Sequence, residues 1–187
     1  EHMRLRENQL DLLREIAEVN PNVGVVLQCG SPVEMTWDVF ARAVLHLYLG
    51  GQAVGSACAA LLTGEANPSG KLAETMPVRL EDTPCAPWYP GREATSEYRE
   101  GLFVGYRYYE SAHKRVKYPF GYGLSYTEFS YAPGEFSPGG VSFTVKNTGS
   151  RAGAEVAQLY VRSKTLGMLR PALSLAGFRS EEHTSEL

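Results

Sequence analysis

The sequence predicts an α/β layer followed by an antiparallel all-β sandwich, and three observations point there. Apolar residues recur at helical intervals near the N-terminus, a valine-rich run of strand length follows, and beyond Gly123 the pattern changes to residue-by-residue alternation. At 187 residues the chain can hold one ordinary domain or two small ones.

From Asn8 to Val19, Leu10, Leu13, Ile16 and Ala17 recur at three- and four-residue steps, and Pro21 ends the pattern. That is an amphipathic helix. Val23 to Leu27 contains three valines and runs into Gly30 and Pro32, as a strand buried on both faces and central in a parallel sheet would. Ala43 to Leu49 is a second apolar run, read as strand, although a run this short does not separate strand from buried helix by period. Either way the order is that of an α/β layer. Gly50-Gly51 then leads into Gln52 to Leu62, rich in Ala, Gly and Ser, a helix able to approach a sheet closely. Thr63 to Gly70 is turn chemistry.

Between Arg79 and Arg99 periodicity disappears among Pro84, Pro87, Pro90 and Gly91, with Trp88, Tyr89 and Tyr98 interspersed. Long loops without structure of their own are uncommon. The segment is therefore either a connector held on the α/β layer by Trp88, Tyr98, Tyr106 and Phe120, or a functional loop. Further on, Val141, Phe143 and Val145 alternate with Ser142, Thr144 and Lys146, and Asn147-Thr148-Gly149 makes a turn. Four strands are expected: near Phe129, at Val141 to Asn147, at Glu155 to Arg162, and around Ser174 to Phe178. The predicted division is an α/β part over 1–78, a connector over 79–123, an incomplete β-sandwich over 124–178 and a separate tail over 179–187.

Composition removes several function classes. A net charge of -3 and no run of Lys or Arg longer than two leave no basic field for a nucleic acid. The longest apolar stretch, Ala41 to Leu49, is broken by Arg42 and His46 and is far shorter than the ~20 residues that span a bilayer. No secretory or targeting segment is visible at the N-terminus. Cys29, Cys58 and Cys85 are odd in number and form no CxxC, which favours a reducing, cytoplasmic setting over a secreted one. His2, His46, His113 and His183 have no partners at ligand-like intervals, so no metal is expected. Gly50 to Gly55 lacks the G-x-G-x-x-G spacing and reads as a tight strand-to-helix turn, not a phosphate loop.

Three blocks carry a family resemblance. They are Asn67-Pro68-Ser69-Gly70-Lys71-Leu72 with Thr75-Met76-Pro77, the run Tyr98 to Tyr109 (YREGLFVGYRYY), and Tyr118 to Tyr126 (YPFGYGLSY). In this order and spacing the chain resembles glycoside hydrolase family 3, the β-glucosidase group especially. Weaker matches at Gly30-Ser31-Pro32, Tyr48 to Gln52, Val145 to Gly149 and Ala157 to Val161 extend the resemblance over roughly residues 1–178. It implies the last part of an α/β sandwich domain, a connector and the start of a fibronectin type III-like domain. It also implies a retaining β-glucosidase acting without metal or organic cofactor on a β-glucoside or oligosaccharide. The family's Asp nucleophile lies in a barrel domain that has no counterpart here, and its acid/base Glu precedes the stretch matching Glu1 to Leu5. No catalytic residue is therefore assigned in this chain. A β-xylosidase or other exo-glycosidase of the family, and a non-catalytic structural or carbohydrate-interaction module, are the alternatives.

Tyr98, Glu100, Tyr106 and Arg107 are the candidates for lining a sugar site, since pyranoses stack on aromatic faces and their hydroxyls seek charged partners. Packing of an aromatic-rich connector is the simpler reading of the same residues. Glu93, Glu97 and Glu100 are close in sequence, but loop spacing does not set a catalytic separation. Trp37 and Trp88 are read as packing residues. Arg179 to Leu187 departs from the family, resembles a translated sequencing adapter and, being polar and non-alternating, is expected to have no place in a sandwich.

Overall fold

The computed structural model describes residues 2–91, 94–162, 164 and 169–183, with 181–183 described by their backbone. The elements in order are α1 (Glu7–Val19), β1 (Gly24–Leu27), β2 (Ala43–His46), α2 (Val54–Thr63), β3 (Met76–Pro77), α3 (Tyr106–Ser111), β4 (Val116–Tyr118), β5 (Phe129–Ala132), β6 (Phe136–Ser137), β7 (Gly140–Val141), β8 (Thr144–Asn147), β9 (Gly153–Val161) and β10 (Ser174–His183). They fall into two compact units interleaved along the chain. The first holds Glu1–Val54, Leu72–Tyr122 and Val161–Ser174; the second holds Gly55–Lys71, Gly123–Tyr160 and Leu175–Leu187. Contacts made by Asn67 and Lys71 group the turn after α2 with the later strands.

In the first unit β1 and β2 pair in parallel, Gly24 opposite Ala43 through Leu27 opposite His46. Leu10 and Leu13 of α1 pack against a core of Leu27, Val33, Met35 and Trp37, joined by Val25, Val44 and Tyr118. Helix and strand types are as expected, and so is the parallel pairing. The position of β1 is a correction: β2 is its one strand partner among the described residues. β1 is therefore not central, and it is not buried on both faces either, since Val26, on the face opposite Val25 and Leu27, is 44 % exposed.

After β2 the chain turns through Gly50 and Gly51, the latter at φ +68°. A Cβ on Gly50 would lie 2.6 Å from Val54 Cγ2, so the glycine lets α2 start hard against the end of β2. Two short strands absent from the sequence reading follow. β3 pairs antiparallel with β4, and the pairing continues as Leu72 N–H donates to Tyr122 O and Gly121 N–H to Leu72 O, both at 2.8 Å. Phe120 N–H donates to Thr75 Oγ1 at 3.3 Å. Two of the motif blocks thus zip against each other, with Met76 and Pro77 buried between them.

The second unit contains the other halves of the same blocks. Asn67 Oδ1 accepts from Ser125 Oγ at 2.9 Å and Tyr126 N–H at 2.8 Å, and Asn67 Nδ2 donates to Ala152 O at 2.9 Å. Lys71 Nζ donates to Gly123 O at 2.9 Å and pairs with Glu155 at 3.0 Å. The strands form two-stranded ladders, β5 with β8, β6 with β7, and β9 with β10. Phe129 faces Asn147 and Ala132 faces Thr144. The stretch read as one strand from Val141 to Asn147 is broken at Ser142 and Phe143: Val141 ends the β6–β7 hairpin, turned by Pro138 and Gly139, and β8 begins at Thr144. The tail is also corrected in part. β10 runs unbroken from Ser174 to His183, because backbone pairing with β9 needs no apolar alternation. Residues 184–187 lie outside the described residues.

Candidate functional site

The candidate residues sit in the first unit, on the approach to α3 and on its first turn. Gly101 and Gly105 have φ of +57° and +54°, and these reversals allow the chain to turn tightly into the helix. Tyr106 stacks on Phe120, with ring centroids 5.0 Å apart, so it packs as a connector residue. Tyr109, one turn on, is buried at 6 % exposure, and burial first, then nearby Cys85, pushes its phenol up to about 12. Arg107 faces elsewhere: it lines an open depression of ≈ 320 Å³ with Leu102, Val161, Arg170, Pro171 and Ser174.

Ser111 brings the distant segment to this place. Its Oγ donates to Arg107 O at 2.6 Å and accepts the Ala172 N–H at 2.8 Å. Arg170 and Pro171 are thereby held beside α3, a neighbourhood that no local pattern in the sequence could signal. Two guanidiniums and an apolar wall can hold an oxygen-rich small molecule.

The other candidates are not in this depression. Tyr98 is 91 % exposed. Glu100 is half-buried and its carbonyl accepts the Phe103 N–H at 2.9 Å. The candidates are therefore divided, with Arg107 alone lining the depression. Glu97 pairs with Arg99 at 2.6 Å, and Glu93 lies outside the described residues. The expected holding of the connector by Trp88 and Tyr98 is also corrected: Trp88 is 45 % exposed, whereas Tyr106 and Phe120 do pack. Trp37, at 3 % exposure, is the packing tryptophan.

Carboxyl groups elsewhere in the first unit are engaged or isolated. Asp38, its side chain 8 % exposed, accepts Tyr118 Oη at 2.8 Å and pairs with Lys117 at 2.7 Å. Burial pushes the Glu74 carboxyl above its ordinary value. No group of three or more His, Cys, Asp or Glu that could hold a metal occurs among the described residues. Among those residues, no helix is long and apolar enough to cross a membrane.

The Glycosyl hydrolase family 3 C-terminal domain matches residues 1–126. The chain belongs to glycoside hydrolase family 3. It is 49 % identical over 185 residues to thermostable beta-glucosidase B of Acetivibrio thermocellus, the match covering 95 % of this chain and 24 % of that protein. A beta-glucosidase of Rhizobium radiobacter is 41 % identical over 187 residues, covering 94 % of this chain and 23 % of the relative. Among solved structures, the GH3 beta-glucosidase of Bifidobacterium adolescentis superposes with a TM-score of 0.95 at 39 % identity, covering all of this chain and 29 % of that one. The chain thus spans about a quarter of the length of the relatives it matches.

Proposed function

We propose that this chain is part of a retaining, exo-acting β-glucosidase that hydrolyses terminal non-reducing β-D-glucosyl residues, and that it supplies neither catalytic carboxylate. The observation that carries this reading is the 49 % identity to a β-glucosidase along nearly the whole chain. Retaining hydrolysis requires two carboxyl groups about 5–5.5 Å apart, one as nucleophile and one as acid/base. Asp38, Glu97 and Glu155 are each paired with a cation. Arg107 is the residue best placed to touch a sugar, through the depression it lines, and Tyr106 supports α3 by packing on Phe120. In this reading residues 1–78 are the end of an α/β sandwich domain, 79–123 a connector and 124–178 the beginning of a fibronectin type III-like domain.

Release of nitrophenol from an aryl β-glucoside tests the proposal in two arms. The 187-residue chain is expected to show none above background, and the longer protein to turn the glucoside over. Activity in the chain that disappears on Glu97→Gln or Glu100→Gln would overturn the absence of an acid/base. Preference of the longer protein for an aryl β-xyloside would replace the β-glucosidase reading by that of a β-xylosidase.

A further inference from the structure

Trp88 differs from the other tryptophan in being exposed yet held. The Cys85 carbonyl accepts both the Trp88 N–H at 2.8 Å and the Tyr89 N–H at 2.9 Å, which fixes the backbone. The Arg99 guanidinium lies 4.3 Å from the indole centroid. Glu97 pins that guanidinium through Nε at 2.6 Å. One side of the ring is therefore braced by a cation that is itself braced, while 45 % of the residue remains open to solvent. A tryptophan that serves only the core is placed as Trp37 is, at 3 % exposure.

We propose that Trp88 is a stacking platform for a pyranose ring of a β-linked glucose oligosaccharide, with Arg99 and Glu97 as its positioning residues. A β-glucopyranose carries its hydroxyls around the ring edge and presents apolar C–H faces, which suit an indole held flat. Charge complementarity also favours a neutral occupant: Glu97 answers Arg99, so the place offers no net field for an anion. A lipid surface would need a contiguous apolar face, whereas here the indole lies against the Arg99–Glu97 ion pair. The proposal rests on the glycosidase reading for its choice of sugar.

The test is titration of the 187-residue chain with cellopentaose, followed by tryptophan fluorescence and calorimetry. With Trp37 buried, a saturable change in emission reports Trp88. Trp88→Ala is expected to abolish both the change and the binding heat, Trp88→Phe to keep part of the heat, and Arg99→Ala to weaken binding about threefold. No saturable change in a chain whose Trp37 emission remains that of a buried indole would overturn the platform. So would an equal binding heat in Trp88→Ala, or a response to a proline-rich peptide and none to the sugar. If the isolated chain unfolds, Trp88→Ala goes into the longer protein, where KM for cellopentaose should rise by a larger factor than KM for methyl β-glucoside; an equal factor for both would refute the proposal. Binding without hydrolysis by the longer protein would count against the glycosidase reading alone, and hydrolysis without any effect of Trp88 against the platform alone.

Discussion

Asn67 makes three hydrogen bonds from one side chain, accepting from Ser125 and Tyr126 and donating to Ala152. An aspartate could keep the two accepted bonds but could not donate, and an alanine keeps none. Asn67→Ala is expected to destabilise the second unit by about 2 kcal/mol, with Asn67→Asp costing less. Faster hydrogen exchange at the Tyr126 amide is the measurement. Titration offers a second prediction. Burial is the first cause that pushes Tyr109, Tyr118 and Tyr131 up to about 12, and a hydrogen bond to Asp38 or Glu155 adds to it for the latter two. A folded value raised above the ordinary 10 means that the folded chain holds the proton more tightly. The contribution is therefore full below pH about 10 and is lost as pH rises through about 12. Tyr109, Tyr118 and Tyr131 should ionise late in a phenolate absorbance titration, and burial raises the Tyr48 phenol as well. Tyr118→Phe should remove one of these late ionisations.

At the scale of elements, the joint between β2 and α2 rests on Gly50. A Cβ there would meet Val54 Cγ2 at 2.6 Å and its Cβ at 2.9 Å, both too close to relax without moving the helix. Gly50→Ala is expected to cost about 1–3 kcal/mol, whereas Gly70→Ala, with nothing within 4 Å, should cost far less. Thermal midpoints of the two variants compare them directly. Elements whose signal is local were legible in the sequence. The helical spacing of Leu10 and Leu13 and the valine run before Gly30 gave α1 and β1, and the small-residue stretch gave α2. Strands that exist through a distant partner were not legible. β3 is two residues long and forms against β4, some forty residues later, and a proline at one of its two positions gives no local strand signal. The site divides the same way. Arg107 was visible as a charged residue among aromatics, but Arg170 reaches the depression through the bond from Ala172 to Ser111, which leaves no periodic trace. The first and third motif blocks stood out clearly, and they bond to each other, Asn67 to Ser125 and Tyr126 and Leu72 to Gly121 and Tyr122.

Large apolar side chains stand open to solvent among the described residues. In the second unit Leu124 is 73 % exposed, Phe136 84 % and Phe178 71 %, while Ala157 is the buried hydrophobic residue among those described. The first unit has the tryptophan-centred core that the second lacks. Two-stranded ladders also leave backbone groups open along their edges, which are templates for association. We therefore expect a broad, weakly cooperative melt of the isolated chain that shifts with protein concentration. Amides of β5 and β8 should exchange before those of β1 and β2. The tail should matter as well: since β10 continues to His183 beside β9, deleting Ser180 to Leu187 shortens that ladder and should lower protection along β9. Sedimentation and hydrogen exchange on the two lengths check both points. A monomer with one sharp, reversible transition, unchanged by the deletion, would show that the second unit is stable by itself in spite of its uncovered apolar surface.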